Sequence, residues 1–92
     1  MYLITFDLDT QGLVDTSIYS EVRKLLERLG FEHIQESVYL LEDDDYGIVQ
    51  KAIDDLRDSD DFKECVKDVR LFEVAEQYDL IEEIQGNTDL LR

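Results

Sequence analysis

The chain has 92 residues, 43% of them hydrophobic, and a formal net charge of −15 from 9 Lys and Arg against 24 Asp and Glu. This length predicts a single domain over residues 1–92, and the apolar fraction argues against disorder. No apolar run approaches the roughly 20 residues that cross a bilayer, no signal peptide is visible, and the lone Cys65 fits a reducing compartment, so we expect a cytoplasmic protein without membrane contact. So acidic a surface repels phosphate backbones, and it fits either a highly soluble protein or one with a basic partner.

Periodicity predicts the first half of the chain clearly. Residues 2–8 alternate between apolar and mixed positions and predict a strand that ends at Asp7 and Asp9. Apolar residues then recur at helical spacing, which predicts an amphipathic helix that is capped near Thr16 or Ser17 and ends at Gly30. Its predicted apolar stripe consists of Ile18, Val22, Leu25 and Leu29.

The second half repeats this pattern with a hairpin in front. FEHIQ and SVYLL predict two short strands that turn near Glu36, and the acidic run 42–45 suits the start of a second helix. In that helix the expected stripe is Tyr46, Val49, Ile53 and Leu56. A short helical turn around Phe62 and the strand VKDVRLFEV follow. The tail, residues 77–92, fits an extra strand or a helical turn.

The order strand, helix, strand, strand, helix, strand predicts an α+β fold of the ferredoxin-like βαββαβ kind, an antiparallel four-stranded sheet with two helices on one face. Right-handed crossovers place the first strand in the middle, between the third and the fourth. Because the sheet is antiparallel, the starts of the third and fourth strands lie beside the end of the first. We therefore expect Ser37, Asp68 and Arg70 at the same edge as Asp7 and Asp9.

Two helices on one face leave the other face of the sheet uncovered. Leu3, Thr5, Phe72 and Val74 are expected on this second face, which is too apolar for open water. A patch of this kind usually marks an interface, and a symmetric homodimer packed sheet to sheet is the simplest way to cover it. The tail would then lie at the dimer interface.

Three segments of the chain carry a family likeness. MYLITFDLDT, LGFEHIQESVYL and VKDVRLFEV, in this order and spacing, resemble virulence-associated protein D (VapD), a small bacterial family with a fold similar to that of the CRISPR adaptation ribonucleases. The resemblance runs from Met1 to about Ile84. It implies a homodimeric endoribonuclease that cleaves RNA without an obvious cofactor and often acts as the toxin of a toxin–antitoxin pair, so an antitoxin or another protein is an expected partner.

The same resemblance implies a set of site residues. Asp7, Ser37 and Asp68 correspond to the family's active-site positions. Leu13 corresponds to a supporting leucine in the first loop, and we expect it to contact RNA. Arg70 is the best-placed cation for an RNA phosphate, because its planar fork grips two oxygens, although an ion pair with Asp68 fits equally well. Asp7 would act either as a general base on a 2′-hydroxyl or, with Asp9, as a ligand of Mg²⁺.

Purely structural roles for these residues are possible alternatives to the functional ones. Asp9 also fits a turn cap, and Ser37 also fits a serine that satisfies backbone groups at the hairpin bend. The lone His33 is predicted on the far edge strand, in a structural or surface role. A second hypothesis for the whole chain is a non-catalytic dimeric interaction or adaptor module whose acidic surface binds a basic partner. The net charge favours it, as does Glu36, where many family members carry glycine.

Overall fold

The computed structural model describes residues 1–9 and 17–86. Its elements, in chain order, are the strand β1 (Tyr2–Leu8), the helix α1 (Ser17–Arg28), the strands β2 (Glu32–Gln35) and β3 (Val38–Leu41), the helices α2 (Tyr46–Arg57) and α3 (Asp60–Cys65), the strand β4 (Val66–Glu73) and the helical turn α4 (Ile81–Ile84). The tail therefore contains a helical turn, which is one of the two structures that its sequence fits.

The four strands form one antiparallel sheet in the order β2-β3-β1-β4. The long strand β1 lies in the middle and pairs with β3 on one side and with β4 on the other. This is the predicted ferredoxin-like arrangement, so the α+β class, the strand order and the position of β1 between the third and fourth strands are confirmed. The hairpin β2–β3 and the start of β4 consequently lie at the end of β1 where Asp7 stands.

Helix α1 follows its apolar pattern and ends where glycine was expected. Ile18, Val22 and Leu26 are its buried residues, so the buried stripe includes Leu26, while the predicted Leu25 is only half-buried. Gly30 has a φ of 99°, and its N–H donates to the carbonyl of Glu27. The N–H of Phe31 donates to the carbonyl of Leu26. These two bonds satisfy the last turn of the helix and turn the chain into β2.

Side-chain caps define the starts of α2 and α3. The Asp45 carboxylate accepts a hydrogen bond from the Gly47 N–H at 2.8 Å, so the acidic run does supply the N-cap of α2. The Ser59 hydroxyl accepts from the Phe62 N–H at 3.3 Å at the start of α3. Tyr46, predicted in the α2 stripe, is instead 51% exposed because it lies at the helix end and contacts Tyr2 edge to face.

The core lies between the sheet and the helices. Alternate residues of β1 (Ile4, Phe6 and Leu8) pack against the buried residues of α1, α2 and α3, and the ring of Phe6 contacts those of Tyr39 and Phe62. No polar or charged residue is buried as a whole within the described ranges, but Nε2 of His33 and Oε2 of Glu83 are buried atoms without a hydrogen-bond partner there. Within the same ranges, no helix is both long enough and apolar enough to span a bilayer.

The face of the sheet opposite this core is less open than we expected. Leu40 lies on that face, opposite Leu3 in the β1–β3 register, and is only 1% exposed. The segment after β4 lines a cavity together with β2, and we attribute the cover over Leu40 to this segment. The expectation of a bare second face is therefore wrong in this region. Phe72, at 46% exposure, remains uncovered there, while Leu3 and Thr5 are half-buried.

Candidate functional site

Asp7 and Asp68 face each other across β1 and β4. Their Cα atoms are register partners, and the pairing shifts directly after them, between Asp7 and Leu8. Both residues are exposed. Like charges directly opposite on neighbouring strands destabilise a sheet, so a carboxylate pair at this position has a cost that the fold accepts. The predicted convergence of these two residues at one edge is thus present in the structure.

Arg70 partly offsets this concentration of negative charge. Its Nε lies 3.0 Å from Oδ2 and 3.3 Å from Oδ1 of Asp68, and both residues are substantially exposed. Arg70 is the register partner of Thr5, two residues before Asp7 on β1. The ion pair that the sequence left open is therefore formed. It uses Nε, and the two terminal guanidinium nitrogens make no hydrogen bond with the described residues.

The turn between β2 and β3 brings Ser37 to the same end of the sheet. The N–H of Phe6 donates to the Ser37 carbonyl at 3.1 Å, which fixes this turn beside the residue that precedes Asp7. Ser37 is half-buried, and its hydroxyl makes no hydrogen bond with any described residue. A backbone hydrogen bond therefore holds this bend in place, and the Ser37 hydroxyl is not needed as a partner for the backbone groups of the bend.

Asp9 is tied to the third helix. Its N–H donates to the Cys65 carbonyl at 2.7 Å, which joins the end of β1 to the junction between α3 and β4. Because the register shifts after Asp7, simple alternation does not put Asp7 and Asp9 on one face. No group of three or more His, Cys, Asp or Glu side chains suited to a metal ion occurs in residues 1–9 and 17–86. Mg²⁺ commonly uses only one or two protein carboxylates, so Asp7 and Asp9 remain a predicted pair of ligands.

Tyr19, in the first turn of α1, lies close to this cluster and was missed by the sequence reasoning. Burial raises the pKa of its phenol, and the negative charges of Glu36 and Asp7 raise it further, with a smaller contribution from Cys65. The ring packs against the core. In the sequence, Tyr19 only follows Ile18 on the side of a predicted helix, so nothing there marks it as a site residue. Its position near Glu36 of the hairpin turn becomes visible only in the folded chain.

Two other predicted residues lie elsewhere. Leu13 falls outside the residues that the structure describes, so its predicted contact with RNA stays a prediction. His33 lies on the edge strand β2, and its ring stacks on Tyr39 with the centroids 4.7 Å apart. The buried Nε2 of His33 has no hydrogen-bond partner among the described residues. The structural position expected for His33 is confirmed.

Comparisons with known proteins agree with this fold. The family model described as CRISPR associated protein Cas2 matches residues 1–80. Endoribonuclease VapD from Dichelobacter nodosus is 37% identical over 92 residues, which cover 94% of this chain and 99% of that protein. An Endoribonuclease VapD homolog from Helicobacter pylori (strain ATCC 700392 / 26695) is 35% identical, with 92% of this chain and 97% of that protein covered.

The match over residues 1–80 sets the class of the protein, a Cas2-type chain with a ferredoxin-like sheet. Within this class, the family is shown by the 37% and 35% sequence identity to two relatives that are matched over nearly their whole length. The chain belongs to the VapD family. The resemblance carried by the three sequence segments is thereby confirmed.

Proposed function

We propose that this protein is an endoribonuclease that cleaves RNA at the end of β1. The observation that carries the proposal is the register of the sheet, which sets Asp7 opposite Asp68 and beside the turn that holds Ser37. Relatives that match this chain over nearly their whole length are named endoribonucleases. An exposed acidic pair at the end of a central strand costs stability, and a catalytic role explains why the chain keeps it.

Asp7 is the proposed general base. Its carboxylate takes the proton of an RNA 2′-hydroxyl, and the 2′-oxygen attacks the adjacent phosphorus. The P–O5′ bond breaks, the 5′-oxygen leaves and takes a proton from solvent, and the products are a 2′,3′-cyclic phosphate and a 5′-hydroxyl. If Mg²⁺ is used, Asp7 and Asp9 would hold it near the phosphate.

Arg70 and Ser37 are the proposed phosphate contacts. Asp68 fixes the Arg70 guanidinium through Nε, which leaves its two terminal nitrogens for phosphate oxygens. The Ser37 hydroxyl is a neutral donor on the other side of β1. Asp68 therefore serves the site by orienting Arg70, and the predicted role of Leu13 as a further RNA contact completes the set.

Cleavage of an unstructured RNA by the purified protein tests this proposal. The parent is compared with Asp7→Asn and with the control Glu42→Gln, each assayed with and without Mg²⁺. Glu42 is an exposed acid that follows β3, at the opposite end of the sheet, so both variants lose one negative charge. We expect loss of cleavage in Asp7→Asn alone, with 2′,3′-cyclic phosphate ends on the parent's products. Equal cleavage by Asp7→Asn and the parent would refute the assignment.

The active form is proposed to be a homodimer that buries the remaining exposed part of the second sheet face. Phe72 is 46% exposed on this face, on the same side of β4 as Asp68 and Arg70. Two copies packed about a two-fold axis would place the two Asp7 sites near each other. Sedimentation analysis of Phe72→Asp should show monomers and the parent should show dimers, with Tyr46→Asp as a control at an exposed aromatic residue at the start of α2. A dimeric Phe72→Asp variant would exclude this interface.

A toxin-type role in the cytoplasm, with an antitoxin as partner, is a further part of the proposal. It is supported by the family membership and by the proposed cleavage of RNA. Controlled expression in a bacterial host should slow growth for the parent, and Asp7→Asn should not slow it at equal protein levels. If the parent protein cleaves RNA but its expression leaves growth unaffected, the endoribonuclease proposal stands and the toxin role is refuted.

The second candidate is an adaptor without catalysis that binds a basic protein. The exposed acidic run 42–45 favours it. An apolar groove of about 210 Å³ between α2 and β4, which includes Ile53, Leu56 and Val69 and is flanked by Arg57 and Lys63, offers a non-polar contact beside this acidic surface. RNA that stays intact with every variant, together with salt-sensitive capture of a basic protein that Ile53→Glu abolishes, would support this candidate.

A further inference from the structure

Strand β4 lies at one edge of the sheet, where a further strand can be added. It pairs with β1 alone, and this pairing is regular from Asp68 to Glu73. Along this stretch alternate N–H and C=O groups therefore point away from the sheet, without a strand partner among the described residues. An edge of this kind is a template for pairing with another segment of backbone.

The helices leave the core side of β4 uncovered. Val69 and Leu71 are register partners of two buried residues of β1, yet they are 49% and 38% exposed. The groove between α2 and β4 is continued along the strand by a second groove of about 250 Å³, and Ile53, Leu56 and Val69 line both. An unpaired strand edge thus lies beside an apolar groove, which is the arrangement in which an extended peptide adds a strand and places alternate side chains in pockets.

The charge of the two grooves is the reverse of the charge of the whole chain. The protein has 24 Asp and Glu, but within the described ranges no acidic residue lines either groove, whereas Arg57, Lys63 and Arg70 do. Arg57 pairs with Asp54 at 3.7 Å and Lys63 pairs with Asp60 at 3.4 Å. All four side chains are exposed, and exposed pairs contribute little, so both cations can bind another carboxylate.

We propose that β4 and this groove bind an extended segment of a partner protein that carries both apolar and acidic side chains. The segment adds to the sheet beside β4, its apolar side chains enter the groove against Ile53, Leu56 and Val69, and its carboxylates contact Arg57 and Lys63. The interaction does not depend on the endoribonuclease function, and its partner is opposite in charge to that of the adaptor candidate.

Binding of short synthetic peptides to the whole protein tests this proposal. The probe alternates glutamate and valine, and its control has lysine in place of every glutamate. In fluorescence anisotropy at one ionic strength we expect the Glu–Val peptide to bind more tightly, although the net charge of −15 alone favours the opposite order. Bound peptide should slow hydrogen exchange at alternate amides of β4 and leave β2, the other edge strand, unchanged.

Matched variants locate the binding site. Val69→Glu places a charge in the groove, and the control Ile34→Glu places one at an exposed apolar residue of β2. We expect an affinity loss of about tenfold or more in Val69→Glu alone. Arg57→Gln should weaken binding about twofold to fivefold, whereas Lys51→Gln, which removes a similarly exposed cation of α2 outside the groove, should not.

Four results would overturn the proposal. One is no saturable binding of the Glu–Val peptide up to about 1 mM, and another is tighter binding of the Lys–Val peptide. Equal affinity in the parent, Val69→Glu and Arg57→Gln is the third. The fourth is tighter binding at β4 of a peptide with the sequence of residues 76–84, which would assign the groove to the acidic tail of a second copy. Peptide binding by a parent protein that leaves RNA intact would support this proposal while the proposed function fails.

Discussion

Removing the charge of Asp7 should make the protein more stable as it makes it inactive. Asp7 is opposed by Asp68 in the register of β1 and β4, and a directly opposed pair contributes about 0.2–1 kcal/mol. Asparagine is similar in size to aspartate and removes the repulsion. The ion pair of Asp68 with Arg70 already offsets part of it, so we expect Asp7→Asn to gain a few tenths of a kcal/mol within that range. For a domain of this size that is a rise in Tm of about 1–4 °C.

Urea unfolding at neutral pH, at one fixed protein concentration, measures this gain. A double-mutant cycle with Asp68→Asn assigns it: the gain from Asp7→Asn should shrink or vanish when Asp68 is already neutral. In an Arg70→Gln background the gain should grow, because the offsetting cation is gone. Glu42→Gln, an exposed acid outside the sheet, should move the midpoint much less.

Two results would contradict this reasoning. One is a loss of stability above about 0.5 kcal/mol in Asp7→Asn, which would mean that the Asp7 carboxylate accepts stabilising bonds in the folded protein. The other is a gain that does not depend on Asp68, which would place the relieved repulsion elsewhere in this acidic chain.

Three further changes probe the packing and the ionisation of the fold. Leu26→Ala, at a fully buried position of α1, should lower the unfolding free energy by about 2–5 kcal/mol, and the half-buried Leu25→Ala by clearly less; equal losses in urea unfolding would contradict the burial. Ser59→Ala removes the acceptor for the Phe62 N–H and should cost about 0.5–2 kcal/mol in the same assay. Ser59→Thr keeps this acceptor and the hydroxyl that donates to Glu21, so it should retain most of the stability. Burial raises the pKa of the Cys65 thiol in the folded protein. The contribution of this thiol to stability is therefore complete below the unfolded pKa near 9 and is lost as the pH rises through the higher folded pKa. The parent's urea midpoint should fall between pH 8 and pH 10 more steeply than that of Cys65→Ala, and parallel curves for the two proteins would refute this.

Much of the fold followed from periodicity in the sequence. The alternation in residues 2–8 defined a strand with one apolar face, and the handedness of crossovers then placed that strand between the third and fourth. The convergence of Asp7, Ser37 and Asp68 followed from this order alone, because an antiparallel sheet brings the starts of two strands to the end of the strand between them. Local signals such as Gly30 and the acidic run before α2 gave the helix ends.

Contacts between distant segments could not be predicted in this way. The burial of Leu40 depends on a tail that follows the last strand, and nothing in the local pattern of β3 indicates that cover. The packing of α1 against β2 is likewise a contact between elements that the local pattern of either segment does not indicate. The Asp68–Arg70 pair was one of two alternatives, and side-chain geometry decides between them.

The carboxylates gathered at the end of β1 have a consequence for how this protein meets a polyanion. Most proteins that bind nucleic acids lose affinity as salt is added, because their cations release counterions from the phosphates. Here the approach of RNA is opposed by a net charge of −15, and added ions screen this repulsion. Association with RNA should therefore quicken, or at least hold steady, as ionic strength rises, which makes the cellular salt level part of the working condition of this site.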